Sequence, residues 1–319
     1  MELEKIEILD SEMPLKLLNL KLLEEFQNRA DTLTKSEVTY LKNNLGELLG
    51  IVPIKPEKIT DKNFTHPFER MVINPCNKRI NCLEGLRYPP ESIKHKLNYN
   101  RASLEGQSIF YAGAHGTLPV TVETKPQKGQ LITISKWVLK ENTTLNMAII
   151  CQDHEIALSN PEELYSCYQD YHAQLKRLQP NTRQIIERIY QLVIEAFTRE
   201  VNPSIKQGYL FSALFANLFF FDPCNPVDAI YYPSVPNKGG AMNLAVKPDI
   251  IDSKFQMVEA SEFVVVKNAE PGARIWHNFH TATCKQYDKH SLMLMWDDHI
   301  RPPDNPVNEI IIKNEIQFD

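Results

Sequence analysis

Neither a glycine-rich dinucleotide fingerprint nor a phosphate-binding P-loop occurs in the 319 residues. Ordinary hydride transfer and nucleotide hydrolysis at a phosphate loop therefore lose support. An apolar run long enough to span a bilayer is also missing, since the longest, 210–221, fits a buried helix instead. The six cysteines, Cys76, Cys82, Cys151, Cys167, Cys224 and Cys284, have no paired spacing, so reduced thiols are expected rather than a disulfide framework. Excess positive charge is absent as well. A formal net charge of -5 and a pI near 6.0 disfavour nucleic acid or an anionic membrane as partner, while leaving room for a local basic pocket that takes a phosphorylated small molecule. Met1-Glu2-Leu3-Glu4-Lys5 lacks the basic and then apolar order of a secretory leader, and a cytoplasmic location is expected. No internal repeat or low-complexity tract is visible.

What is present reads as an α+β chain, long enough for one large domain or two small ones. Residues 14–49 space their leucines as two amphipathic helices, and Thr34 with Glu37 offers a capping box for the second. The strip Val52-Pro53-Ile54-Lys55-Pro56 ends helix and marks a boundary, giving an N-terminal helical segment over 1–60. Strand patterns follow at 68–73, 109–112, 120–124 and 131–138. Helices are expected over 161–178, 181–199 and 212–221, then strands over 229–235, 255–260 and 262–266. A last strand is expected at 309–313, after extended loop around Arg301-Pro302-Pro303. Strands, helices, then strands again imply a mixed or antiparallel sheet.

The most informative stretch is Ala229-Ile230-Tyr231-Tyr232-Pro233-Ser234-Val235, followed by Asn237-Lys238-Gly239-Gly240-Ala241-Met242-Asn243-Leu244-Ala245. An apolar strand delivers a serine to its end, and a glycine pair then permits a tight turn and close approach to a ligand. Upstream, Phe68-Glu69-Arg70-Met71-Val72-Ile73 and Val120-Thr121-Val122-Glu123-Thr124 carry an arginine and a glutamate on strand-like segments. Taken singly, these have bland readings: arginines in surface ion pairs, a solvent-facing glutamate, a turn serine and, for Tyr111, a core aromatic.

Their shared order, together with Leu86-Arg87-Tyr88-Pro89-Pro90, Asn100-Arg101-Ala102-Ser103 and Ile109-Phe110-Tyr111-Ala112, resembles the RES domain family, named for an arginine, a glutamate and a serine. The resemblance covers 67–268 and leaves 1–60 and a C-terminal extension, 269–319, outside it. It implies an ADP-ribosyltransferase-like core of mixed or antiparallel β-structure with flanking helices. It also implies that NAD is consumed as substrate, with no further cofactor, by cleavage of the nicotinamide–ribose bond. The enzyme is then a glycohydrolase or phosphorylase, or an ADP-ribosyltransferase, and the toxin of a toxin–antitoxin pair. Its partners are an antitoxin protein and, for a transferase, a protein acceptor.

Carried onto this chain, the resemblance makes Glu123, Arg70 and Ser234 catalytic, and Arg101, Tyr111, Ser212 and Asn243 substrate-binding. A carboxylate beside the ribose suits an oxocarbenium-like transition state, and an arginine fork suits a diphosphate. Tyr111 has a ring that can stack on nicotinamide. Ser234 either bonds the ribose or holds the glutamate, and Asn243 either orients the ligand or closes the turn. Ser212 opens a helix whose N-terminus attracts phosphate. Where the family has a glycine before Arg101, this chain has Asn100, and Arg87 is a third arginine candidate.

Two other constellations carry less. His277, His280, Cys284 and His290 are potential zinc ligands without a paired zinc spacing, so an aromatic cluster with Trp276, Phe279 and Trp296 is expected and no metal. Cys151 lies near His154, but proximity in sequence does not make a nucleophilic dyad. The reading from a different class is a non-catalytic nucleotide-binding or regulatory module that retains the RES fold. The N-terminal helices serve either reading, as a lid or as a surface for the antitoxin-like partner.

Overall fold

The computed structural model describes residues 6–51, 56–62, 66–114, 116–150, 162–202, 205–235, 241–268, 276–299 and 304–318. Its strands are β1 Glu57–Thr60, β2 Phe68–Ile73, β3 Phe110–Gly113, β4 Leu131–Leu139 and β5 Thr144–Ile149, then β6 Ala229–Pro233, β7 Met242–Val246, β8 Phe255–Lys267, β9 His277–Tyr287 and β10 Leu294–Asp298. They form a ten-stranded sheet in the order β1-β5-β6-β7-β3-β2-β4-β8-β9-β10. Only β5 and β6 run parallel; the other neighbours are antiparallel. Around the sheet lie α1 Met13–Asn28, α2 Lys35–Leu49, α3 Thr117–Thr124, α4 Glu162–Arg177, α5 Pro180–Thr198, α6 Leu210–Phe220, α7 Pro248–Lys254 and α8 Val307–Lys313. The class is α+β.

Alternation along β6 divides the core in two. Ile230 and Tyr232 face the helices, where they join Leu20, Leu41, Phe197 and Phe215 in one buried cluster. Ala229 and Tyr231 face the other side, with Phe110, Trp137 and Leu244. Successive side chains on a strand point to opposite faces, so a central strand buried on both must be apolar throughout, as this one is. The Thr34–Glu37 capping box starts α2, and Gly50 ends it with a left-handed φ of 67°.

Because α1 and α2 share their core with α5 and α6, no separate apolar core closes at the proline strip. Residues 52–55 of that strip lie outside the described residues, but β1 just beyond it already belongs to the sheet. The expected C-terminal extension likewise continues the sheet, as β9 and β10 beyond β8. It is tied down by Arg79, whose buried side chain donates to Glu262 on β8 at 3.2 and 2.9 Å and to Asp298 on β10 at 2.6 Å. Thr281 on β9 adds its hydroxyl to Glu262 at 2.8 Å.

Three expected elements are corrected. Residues 120–124 belong to α3, a helix rather than a strand. Strand β3 is paired along its length only with β7 and meets β2 at Gly113 alone, and Gly116, at a φ of 104° that favours glycine, turns the chain leaving it into a helix. Residues 309–313 are helical too, within α8, whose start is fixed by the Asn305 side chain accepting from the Val307 N–H at 3.0 Å. The two strands expected at 255–260 and 262–266 are one, β8, bulged against its neighbours. The expected loop at 301–303 lies outside the described residues.

The Arg79–Glu262 node yields the first prediction. Both side chains are nearly dry, 6% and 0% exposed. Glu262→Ala leaves the guanidinium with the exposed Asp298 as its carboxylate partner and is expected to destabilise the protein by about 2–3 kcal/mol. The urea midpoint measures it, and a loss under about 1 kcal/mol assigns the pair no structural role.

Candidate functional site

Strands β2 and β3 pair at a single position, Glu69 opposite Gly113. Past that point they part, while β2 stays in register with β4 along its whole length. Arg70 bridges the parting: its Nη1 donates to the Tyr111 carbonyl at 2.9 Å, and its Cζ lies 5.3 Å from the Phe110 ring centroid. Among the described residues no carboxylate pairs with this guanidinium, and its Nε is buried without a hydrogen-bond partner. Burial pulls its pKa down to about 10, because desolvation disfavours the charged form.

Over the parting opens a cleft of about 370 Å³, within the usual range for small-molecule sites. Arg70, Arg101, Tyr111, Glu123 and Asn243 line it. Glu123 comes from the last turn of α3, which packs Val120 against Met71, Ile132 and Ile134 and leaves Glu123 exposed. Its Oε1 accepts from the Ser234 hydroxyl at 3.0 Å and from the Asn243 side-chain amide at 2.9 Å. Both bonds fall on one oxygen, leaving Oε2 free of any hydrogen bond to described residues and able to meet a ligand. Ser234 is fully buried behind Glu123. Of its two expected roles, this arrangement matches the one in which it holds the glutamate. Asn243, on β7, lines the cleft and also grips Glu123. Residues 236–240, with the Gly239-Gly240 turn, lie outside the described residues.

Tyr111 lines the cleft, but its hydroxyl is committed: it accepts from the Ala102 N–H at 3.1 Å and donates to the Ser103 hydroxyl at 3.0 Å. Burial raises its pKa, so the phenol stays protonated. Arg101 reaches the cleft as well, with Nη1 and Nη2 donating to backbone carbonyls of Phe197 and Arg199. The expectation that it holds phosphate meets a guanidinium already largely occupied.

Ser212 is not brought to the site. It sits inside the first turn of α6, fully buried, and its hydroxyl donates to the Tyr209 carbonyl at 3.1 Å. The helix begins two residues earlier than the hydroxyl pattern implied, so Ser212 faces the core. Arg87 is also elsewhere, paired with Asp252 at 3.1 Å. Of the histidine constellation, His280 stacks on Phe263 and approaches His299, whereas Cys284 is buried, with its thiol pKa raised by desolvation. Among the described residues no three His, Cys, Asp or Glu side chains form a group able to hold a metal ion. Cys151 and His154 lie outside the described residues.

Sequence reasoning missed Tyr209, Tyr232, Asn98 and Gln107, which also line the cleft. Tyr232 was within reach, since it stands two residues before Ser234 on β6 and so shares its face. Tyr209 carried no signal: it precedes α6 in an apolar stretch indistinguishable from core. No helix among the described residues is long and apolar enough to cross a membrane. No family model matches the chain, and no curated protein does either.

The Arg70 environment generates a pH prediction. Its folded pKa, about 10, lies below the ordinary arginine range, so between the two the folded state binds fewer protons than the unfolded chain and apo stability rises with pH across that window. A bound diphosphate favours the charged form and reverses the preference. Affinity for ADP-ribose, whose diphosphate diester keeps its charge across this range, is therefore expected to hold steady from pH 7 to 9 and to fall as pH rises through about 10. Calorimetry across that range checks it. Arg70→Met should lose most of the affinity and flatten the profile; an unchanged profile removes Arg70 from the anion site.

Proposed function

We propose that the chain is an NAD-consuming enzyme of the RES family with an ADP-ribosyltransferase-like core, acting in the cytoplasm as the toxin of a toxin–antitoxin pair. One observation supports this reading above the others: Glu123, gripped by Ser234 and Asn243, shares a cleft with the buried, unpaired guanidinium of Arg70. A carboxylate held at one oxygen and open at the other suits a ribosyl cation. A desolvated cation without a carboxylate suits a diphosphate.

In the proposed reaction Arg70 binds the diphosphate of NAD, and the nicotinamide ring lies against the aromatic wall that includes Tyr111. The bond between ribose C1 and the nicotinamide nitrogen breaks, and its electron pair goes to that nitrogen, neutralising the pyridinium. Positive charge gathers on the ribose, where Glu123 Oε2 stabilises it electrostatically. Ser234 and Asn243 fix the carboxylate in advance, so little reorganisation accompanies bond cleavage. An acceptor oxygen or nitrogen, from water, phosphate or a protein, then bonds to C1 and releases a proton. NAD is the substrate and no further cofactor is needed.

Purified protein incubated with NAD is expected to release nicotinamide. Glu123→Gln keeps the hydrogen-bonding shape but loses the charge, and should slow release by about 100-fold or more. Equal turnover by the two proteins removes Glu123 from the chemistry. Tight NAD binding with no turnover in either, even with protein acceptors supplied, favours the non-catalytic nucleotide-binding module instead.

A further inference from the structure

Arg101 is the second guanidinium of the cleft, and the proposed reaction leaves it without a task. It is only 7% exposed. Its Nη1 donates to the carbonyl of Phe197 at 2.8 Å, that of Arg199 at 3.3 Å and, more weakly, that of Ala196 at 3.5 Å; Nη2 donates to Arg199 at 3.3 Å. These carbonyls close the C-terminus of α5, where backbone acceptors lack intrahelical donors and the helix dipole favours a cation. The flat side of the guanidinium covers Tyr209, with Cζ 4.9 Å from the ring centroid.

The turn that carries Arg101 is held from a second direction by the Tyr111 hydroxyl, through Ala102 and Ser103. Tyr111 and Tyr209 both line the cleft, so the turn fixes two of its aromatic walls. The anchor itself is braced. Arg199, whose carbonyl receives Arg101, sends its own guanidinium to the Gln27 carbonyl and to Asp31, each at 2.9 Å, at the end of α1. A phosphate at Arg101 must compete with the carbonyls that already occupy both terminal nitrogens, whereas at Arg70 only Nη1 is engaged and Nη2 makes no hydrogen bond to described residues.

We propose that Arg101 is a positioning residue, which sets the Tyr111 and Tyr209 walls from the C-terminus of α5, and that ligand phosphate is held by Arg70 without it. The ligand's identity rests on the NAD-consuming reading. Two probes separate the roles: nicotinamide riboside, which has the ring and no diphosphate, and ADP-ribose, which has the diphosphate and no ring.

Binding of each is measured by calorimetry on wild type, Arg70→Met, Arg101→Lys and Tyr209→Leu, at a temperature where circular dichroism shows every variant folded. Arg101→Lys keeps the charge but not the fork that spans the carbonyls. It should weaken nicotinamide riboside by about 10-fold and leave ADP-ribose close to wild type, and Tyr209→Leu should do the same with the helix end intact. Arg70→Met should weaken ADP-ribose alone. Arg101→Lys that loses ADP-ribose, or that binds both as wild type does, overturns the proposal. If Arg101→Lys does not fold, Tyr209→Leu decides: loss of nicotinamide riboside alone supports the proposal, and any other result overturns it. Wild-type protein that binds neither probe sinks the NAD-consuming reading, a result separate from anything the variants show.

Discussion

A half-buried positive charge with no negative partner among the described residues constrains everything around it. Arg70 sits where β2 and β3 separate, with one hydrogen bond to a backbone carbonyl and one aromatic ring beneath it. Desolvating a guanidinium is unfavourable, and a fold selected for stability alone has no use for one in this place. The neighbouring structure compensates: β4 holds β2 in register over its full length, and β7 holds β3, so the parting stays local. The cleft exists because the sheet is interrupted there.

Glu123 is held by an equally long-range arrangement. Its partners, Ser234 and Asn243, lie 111 and 120 residues away in sequence, yet Asn243 stands on β7 and Ser234 directly follows the neighbouring strand β6, its N–H donating to the Ala241 carbonyl at 2.8 Å. Both strands are buried throughout. A carboxylate aimed by rigid strands reorganises less than one carried by a loop, which is the requirement for electrostatic stabilisation of a transient charge. The N-terminal helices contribute from a distance, through the Asp31–Arg199 contact and the carbonyls that receive Arg101.

Much of this was legible in the sequence, and the failures have physical causes. The 3.6-residue spacing of leucines gave α1 and α2, and the β-branched runs gave β2, β4 and β6, because in those segments local pattern and tertiary packing agree. At Val120-Thr121-Val122-Glu123 they conflict: the composition favours a strand, but Gly116 turns the chain leaving β3 into a helix. Glu123 nevertheless meets Ser234, Asn243 and the cleft of Arg70, since which side chains converge did not depend on the element that carries the glutamate. Ser212 misled because a hydroxyl near a helix start looks the same whether it caps the helix or bonds back to a carbonyl inside the first turn. Strands β9 and β10 went unseen because their histidines, lysines and aspartates interrupt the alternation; half of that sheet face meets solvent. Arg101 does line the cleft, but the carbonyls that its fork already meets come from a helix end about 95 residues away and could not be read from the sequence.

The central claim is that the unpaired guanidinium of Arg70 and the free oxygen of Glu123 meet one ligand in one cleft. A crystal of the protein soaked with ADP-ribose tests it most directly. The account predicts diphosphate density within hydrogen-bond distance of Arg70 Nη2, the terminal nitrogen that Tyr111 leaves free, and the free ribose against Glu123 Oε2. Ligand density on another face of the molecule, or a diphosphate in the cleft that bypasses Arg70, contradicts it.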